Sequence, residues 1–112
     1  ALGQWPHQPP KAYQLIAVIR SLIEMRAPLG FSDHAIERLL QRDLDVSDVM
    51  RAFRIGDILG RIEPGENANE WVCTVVSPVL RNPENKREIG VLTVVMDAKS
   101  LLVGTVKWVD ET

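Results

Sequence analysis

Cysteine is nearly absent. Cys73 stands alone among 112 residues, so an intramolecular disulfide is excluded. The two histidines, His7 and His34, lie far from it in sequence, so no metal-ligand cluster is suggested. Inside an apolar run, Cys73 reads as a buried structural thiol. Long apolar runs are absent too. Nothing approaches the roughly 20 residues of a membrane span, and the first residues lack the charged-then-apolar order of a signal peptide, which makes the cytoplasm the default compartment and a membrane partner unexpected. An excess of basic charge is also missing: 13 Lys and Arg stand against 15 Asp and Glu, with a pI near 5.7. That balance excludes a protein that coats nucleic acid with bulk positive charge, and any phosphate binding must be local.

Hydrophobic residues make up 46% and charged residues 25% of the chain, a mix that folds rather than one that stays disordered. A chain of this size has room for one domain, burying roughly 65% of its unfolded surface. Ala1 to Pro10 holds three of the seven prolines and has no period. It reads as an extended arm or an expression remnant, with one domain over 11–112. From Lys11, the apolar residues Ala12, Leu15, Ile16, Ile19, Leu22 and Ile23 recur at three and four, predicting an amphipathic helix that ends before Pro28. Ser32 is placed to cap a second helix from Asp33 to about Arg42, with Ala35, Ile36, Leu39 and Leu40 inward. Ser47 and Asp48 open a third, whose buried face is Val46, Val49, Met50 and Phe53, with Gly56 as a left-handed stop.

Beyond Asp57 the period changes. The segments 58–62, 71–79, 88–96 and 101–109 are rich in Val, Ile, Thr and Trp, and their separators are turn residues too few for a crossover helix. The expectation is an α+β fold with three N-terminal helices packed on a four-stranded antiparallel meander, in the order α-α-α-β-β-β-β. The segment 91–96 is apolar at nearly every position, as a central strand is.

One constellation carries chemistry. His34, Arg38 and Arg42 recur at i, i+4 and i+8 and form one row at the rim of the apolar stripe. On the helical wheel the row stays clear of the Glu37 and Gln41 side. Two arginines four apart repel each other, so something negative is expected nearby. That is either an internal carboxylate such as Asp48, Asp57 or Glu70, or a phosphate held by planar guanidinium. His34 sits in the first helical turn, where the helix dipole and Arg38 both disfavour an imidazolium. An uncharged imidazole can act as the base that removes a ribose 2′-hydroxyl proton, with the arginines stabilising the phosphorane oxygens. No metal and no cofactor enters this scheme.

Two further cations are candidate substrate contacts. Lys107 shares a strand face with Thr105 and joins a site if that face is open. Arg51, with Arg54, lies on a helix face that reads most simply as solvated. Trp71 and Trp108 read as sheet core.

The run Ser32-Asp33-His34-Ala35-Ile36-Glu37-Arg38-Leu39-Leu40-Gln41-Arg42, followed by Val46-Ser47-Asp48-Val49, resembles the bacterial domain-of-unknown-function family 4258. That family's helix reads H-A-x-x-R-x-x-x-R before a short link, a second helix start, a glycine and four strands. The resemblance spans roughly Phe31 to Val109 and includes Gly56 and Thr105-Val106. Asp43 stands where the family commonly has glycine. The resemblance implies kinship with barnase-like and RelE-like ribonuclease toxins, which act on RNA and are silenced by an antitoxin protein. It assigns catalytic positions to His34, Arg38 and Arg42. Three readings therefore stand open: a metal-independent endoribonuclease, a non-catalytic interaction module of antitoxin or phage association, and a purely structural His-Arg network. The sequence leaves the oligomeric state open.

Overall fold

The computed structural model describes residues 8–79 and 87–110. The arm through His7 and the turn expected at 82–85 lie outside the described residues. The order is α1 (Ala12–Glu24), β1 (Leu29–Phe31), α2 (Asp33–Gln41), α3 (Val46–Ile55), β2 (Asp57–Pro64), β3 (Glu70–Pro78), β4 (Glu88–Met96) and β5 (Ser100–Trp108).

The expected four-stranded antiparallel meander does not hold. The sheet has five strands in the order β1-β5-β4-β3-β2 and is mixed. β1 pairs in parallel with β5, Leu29 opposite Leu101 and Phe31 opposite Val103. Three residues are too few to show a period of two, and the pairing joins segments with two helices and three strands between them. The remaining strands do form an antiparallel meander, with β4 in the middle as its apolar pattern requires.

Alternation along the strands defines an inner face. Trp71, Cys73 and Val75 of β3, Val91 and Val95 of β4, and Leu101, Val103 and Val106 of β5 are buried. They form one cluster with Leu15, Ile19 and Leu22 of α1, Ala35 and Leu39 of α2, and Val49 and Phe53 of α3. Each fully buried Val, Leu, Ile or Phe among them contributes about 1.5–3 kcal/mol of burial. On this face Cys73 is a core thiol, and burial pushes it up to about 12 by penalising the thiolate. Trp71 is core as expected, and Trp108 is half-buried, packs against the same cluster and lies under the Arg87 guanidinium, 4.0 Å from its ring centroid.

Several local expectations change. Ile36 and Leu40 are 48% and 78% exposed, because α2 buries only the narrow Ala35–Leu39 edge. Asp45, not Ser47, caps α3: its side chain accepts from the Ser47 and Asp48 N–H groups, and Asp48 answers through the Asp45 N–H. Val46 is consequently the first helical residue and lies exposed. Gly56 ends α3 in an extended conformation (φ −79°) rather than a left-handed one. It must be glycine for a different reason, since a Cβ would lie 2.5 Å from the Ala52 carbonyl and 2.6 Å from that of Val76.

The left-handed stop belongs to α2 instead. Asp43 (φ 53°) lets the Leu44 N–H reach the Leu39 carbonyl at 2.9 Å, a Schellman closure.

Candidate functional site

α2 is oriented from both ends. At its start, Ser32 Oγ accepts from the Ala35 N–H at 3.0 Å and donates to the Gly104 carbonyl at 2.7 Å. Gly104 is the extra residue of the β5 bulge, between the pairs Thr93–Val103 and Leu92–Thr105. The helix start is thereby tied to the place where β5 changes register. At its end, Arg42 is the C-cap, its N–H donating to the Arg38 carbonyl.

The structure brings His34 and Arg38 together. Arg38 Nε donates to His34 Nε2 at 3.3 Å, and an Arg38 Nη1–H donates to Gln41 Oε1 at 2.6 Å. Because Nε2 accepts, it carries no proton in this arrangement, and the ring's proton is on Nδ1. His34 is exposed and Arg38 half-buried. Gln41, expected away from the row, is the second anchor of Arg38. Its spacing of three from Arg38 is the signal that could have found it.

Among the described residues no acidic side chain lies within ion-pair distance of Arg38. Of the candidate acids, Asp48 closes the capping box of α3 and Glu70 accepts from Asn67. Arg42 follows one turn on and is half-buried. His34, Arg38 and Arg42 thus form one row, with the first two in direct contact.

Lys107 and Arg51 belong elsewhere. Val106 is buried inward and Lys107 lies on the opposite sheet face, its Cγ 4.0 Å from where a Cβ on Gly90 would stand, beside Thr74. Among the described residues no helix covers that face, and it is not the face on which α2 packs. Arg51 is on α3, with its Nε enclosed and without a hydrogen-bond partner among the described residues. Another arginine, which spacing alone did not mark, closes the C-terminus of α3. Arg20 of α1 donates to the carbonyls of Phe53 at 3.3 Å and Gly56 at 2.6 Å, where the helix dipole favours a cation.

Among the described residues no group of three or more His, Cys, Asp or Glu side chains is placed to hold a metal ion. Among the same residues, no helix is long and apolar enough to cross a membrane. No family model matches the chain, and no curated protein or solved structure is similar to it at a significant level.

Proposed function

We propose that the chain is a toxin-like endoribonuclease of the family 4258 kind, binding an RNA phosphate at the His34–Arg38 pair. The observation that carries this reading is the pair itself, an exposed imidazole facing a guanidinium that no carboxylate among the described residues neutralises. A structural network would satisfy that guanidinium with an acid, because a half-buried cation without one forgoes its best hydrogen bonds.

In the resting arrangement Arg38 occupies the lone pair that a base needs. A phosphodiester is a stronger acceptor for guanidinium than an imidazole nitrogen. Binding it draws Arg38 from His34 and frees Nε2. His34 then takes the proton of the ribose 2′-hydroxyl, and O2′ attacks phosphorus. The P–O5′ bond breaks, leaving a 2′,3′-cyclic phosphate and a 5′-hydroxyl whose proton comes from the imidazolium. Arg38 and Arg42 stabilise the phosphorane charge. An antitoxin protein is the expected silencing partner.

The test is cleavage of a labelled RNA pool in the presence of EDTA by the native chain, His34→Ala and Arg38→Ala, matched for folding by circular dichroism. Loss of cleavage in both variants supports the reading. Absence of cleavage by the native chain, with ribosomes added and several substrates tried, overturns it.

A second reading has its own support. Ile36 and Leu40, four apart on α2, form an exposed apolar pair on the flank away from the arginines. A binding module that docks a partner on that ridge needs no chemistry from His34, and its binding survives His34→Ala but not Leu40→Lys.

A further inference from the structure

The buried cluster takes only one face of the sheet, and among the described residues no helix packs on the other. That second face is apolar at its centre. Leu92 and Val94 of β4, Val72 of β3 and Leu102 of β5 point to it, all half-buried by their strand neighbours alone. Leu59 of β2 adds a side chain 63% exposed. A contiguous exposed apolar surface of this kind marks an interaction site.

The charges on this face are arranged by position. The register places Lys107, Gly90, Val76 and Asp57 in one transverse row, Lys107 opposite Gly90, Gly90 opposite Val76 and Val76 opposite Asp57. The cation is at the β5 end and the anion at the β2 end, at the same height along the strands and about 14 Å apart from three strand spacings. Further along, Glu63 and Glu70 face the same way on β2 and β3, next to Val72 and Met96. Lys107 thus stands at one margin and Asp57 at the other with apolar residues between them, while Arg61, exposed on β2 beside the core-packed Ile62, lies on the same face as Glu63.

We propose that this face is a homodimer interface, with a second copy of the chain as its occupant. A two-fold axis lying along the strands, midway between β3 and β4, exchanges the two margins. It sets Lys107 of each copy against Asp57 of the partner subunit and packs the two apolar centres together. The roughly 30° offset of aligned sheets shifts the margins by a few ångströms, within the reach of a lysine. With the same faces turned the other way, Lys107 would meet Lys107 and Asp57 would meet Asp57, so this pair of charges favours one arrangement. Four strands, three of them nine residues long, give a planar footprint of about 500 Å² per copy, and two copies reach the roughly 1,000 Å² of a specific interface.

This dimer is independent of the ribonuclease reading, since His34 and Arg38 sit on α2 on the other side of the sheet. Lys107 then serves association rather than substrate. Sedimentation equilibrium of the full chain tests it. The native chain is expected at twice its 12.6 kDa mass, and Val94→Glu at a single mass with an unchanged circular dichroism spectrum. Asp57→Lys is expected to weaken association on the order of tenfold, and the added Lys107→Asp to restore it, because both marginal pairs are then reversed together. The charge swap keeps the test decisive if Val94→Glu does not fold. A native chain that stays monomeric up to its solubility limit overturns the proposal, as does a dimer indifferent to all three changes.

Discussion

Ser32 and Gly104 are 72 residues apart and joined by one hydrogen bond of 2.7 Å, from the Ser32 hydroxyl to the Gly104 carbonyl. The same oxygen accepts from the Ala35 N–H, so one side chain caps α2 and fastens it to the bulge of β5. The direction of the His34–Arg38 pair relative to the sheet depends on this joint. Ser32→Ala removes the cap and leaves a half-buried carbonyl unpaired. The expected loss is about 1–2 kcal/mol in urea unfolding. A loss below about 0.3 kcal/mol, within the reach of an ordinary surface change, would contradict the joint.

Gly56 holds α3 against β3 with no room to spare. The approach of two carbonyl oxygens within 2.6 Å of a would-be Cβ involves backbone on both sides, which cannot swing away as a side chain does. Gly56→Ala is expected to destabilise by about 3 kcal/mol or more. The measurement is the denaturation midpoint, and an unchanged midpoint would show that the helix and strand separate easily.

The β4–β5 hairpin turns on Asp97 and Ala98, both left-handed at φ 54° and 51°, with the Lys99 N–H donating to the Met96 carbonyl at 3.0 Å. Two residues at positive φ define a type I′ turn, for which glycine is favoured at the second position. Alanine there carries about 1 kcal/mol of strain. Ala98→Gly is expected to raise stability by about 0.5–1 kcal/mol, offset in part by the methyl's burial and by the freer unfolded chain. A thermal melt that moves down instead would show that the methyl's packing outweighs the strain.

Cys73 makes the fold sensitive to alkali. Its thiol is raised from 9.0 to about 12 in the folded chain, so the folded state holds the proton where the unfolded chain releases it. The resulting stabilisation is complete below pH 9 and is lost as pH rises toward 12, with a slope of about 1.4 kcal/mol per pH unit. Unfolding free energy measured across that window is expected to fall less steeply in Cys73→Ala. At neutral pH, iodoacetamide should leave Cys73 untouched until the chain unfolds. Equal slopes in the two proteins would remove the thiol from the account.

Much of this was legible in the sequence through local physics. The three-and-four spacing from Ala12 to Ile23 specified α1, Ser32 specified the start of α2, and enrichment in Val, Ile, Thr and Trp between turn residues specified β3, β4 and β5 to within a residue. The recurrence of His34, Arg38 and Arg42 placed them in one row, since helical geometry follows from spacing alone. Tertiary structure decided the rest. The pairing of Leu29–Phe31 with Leu101–Val103 is a long-range event that three residues cannot announce. Gly56 was marked correctly for the wrong reason, because its constraint comes from the Val76 carbonyl across space and not from its own φ. The exposure of Ile36 and Leu40 depends on how much of α2 the sheet can cover, which no helical wheel contains. The choice of Gln41 rather than a carboxylate as the anchor of Arg38, and the alignment of Lys107 with Asp57 across four strands, arise only when register is set. Spacing along one helix is a property of the chain, whereas proximity between elements is set by packing and is known only from the fold.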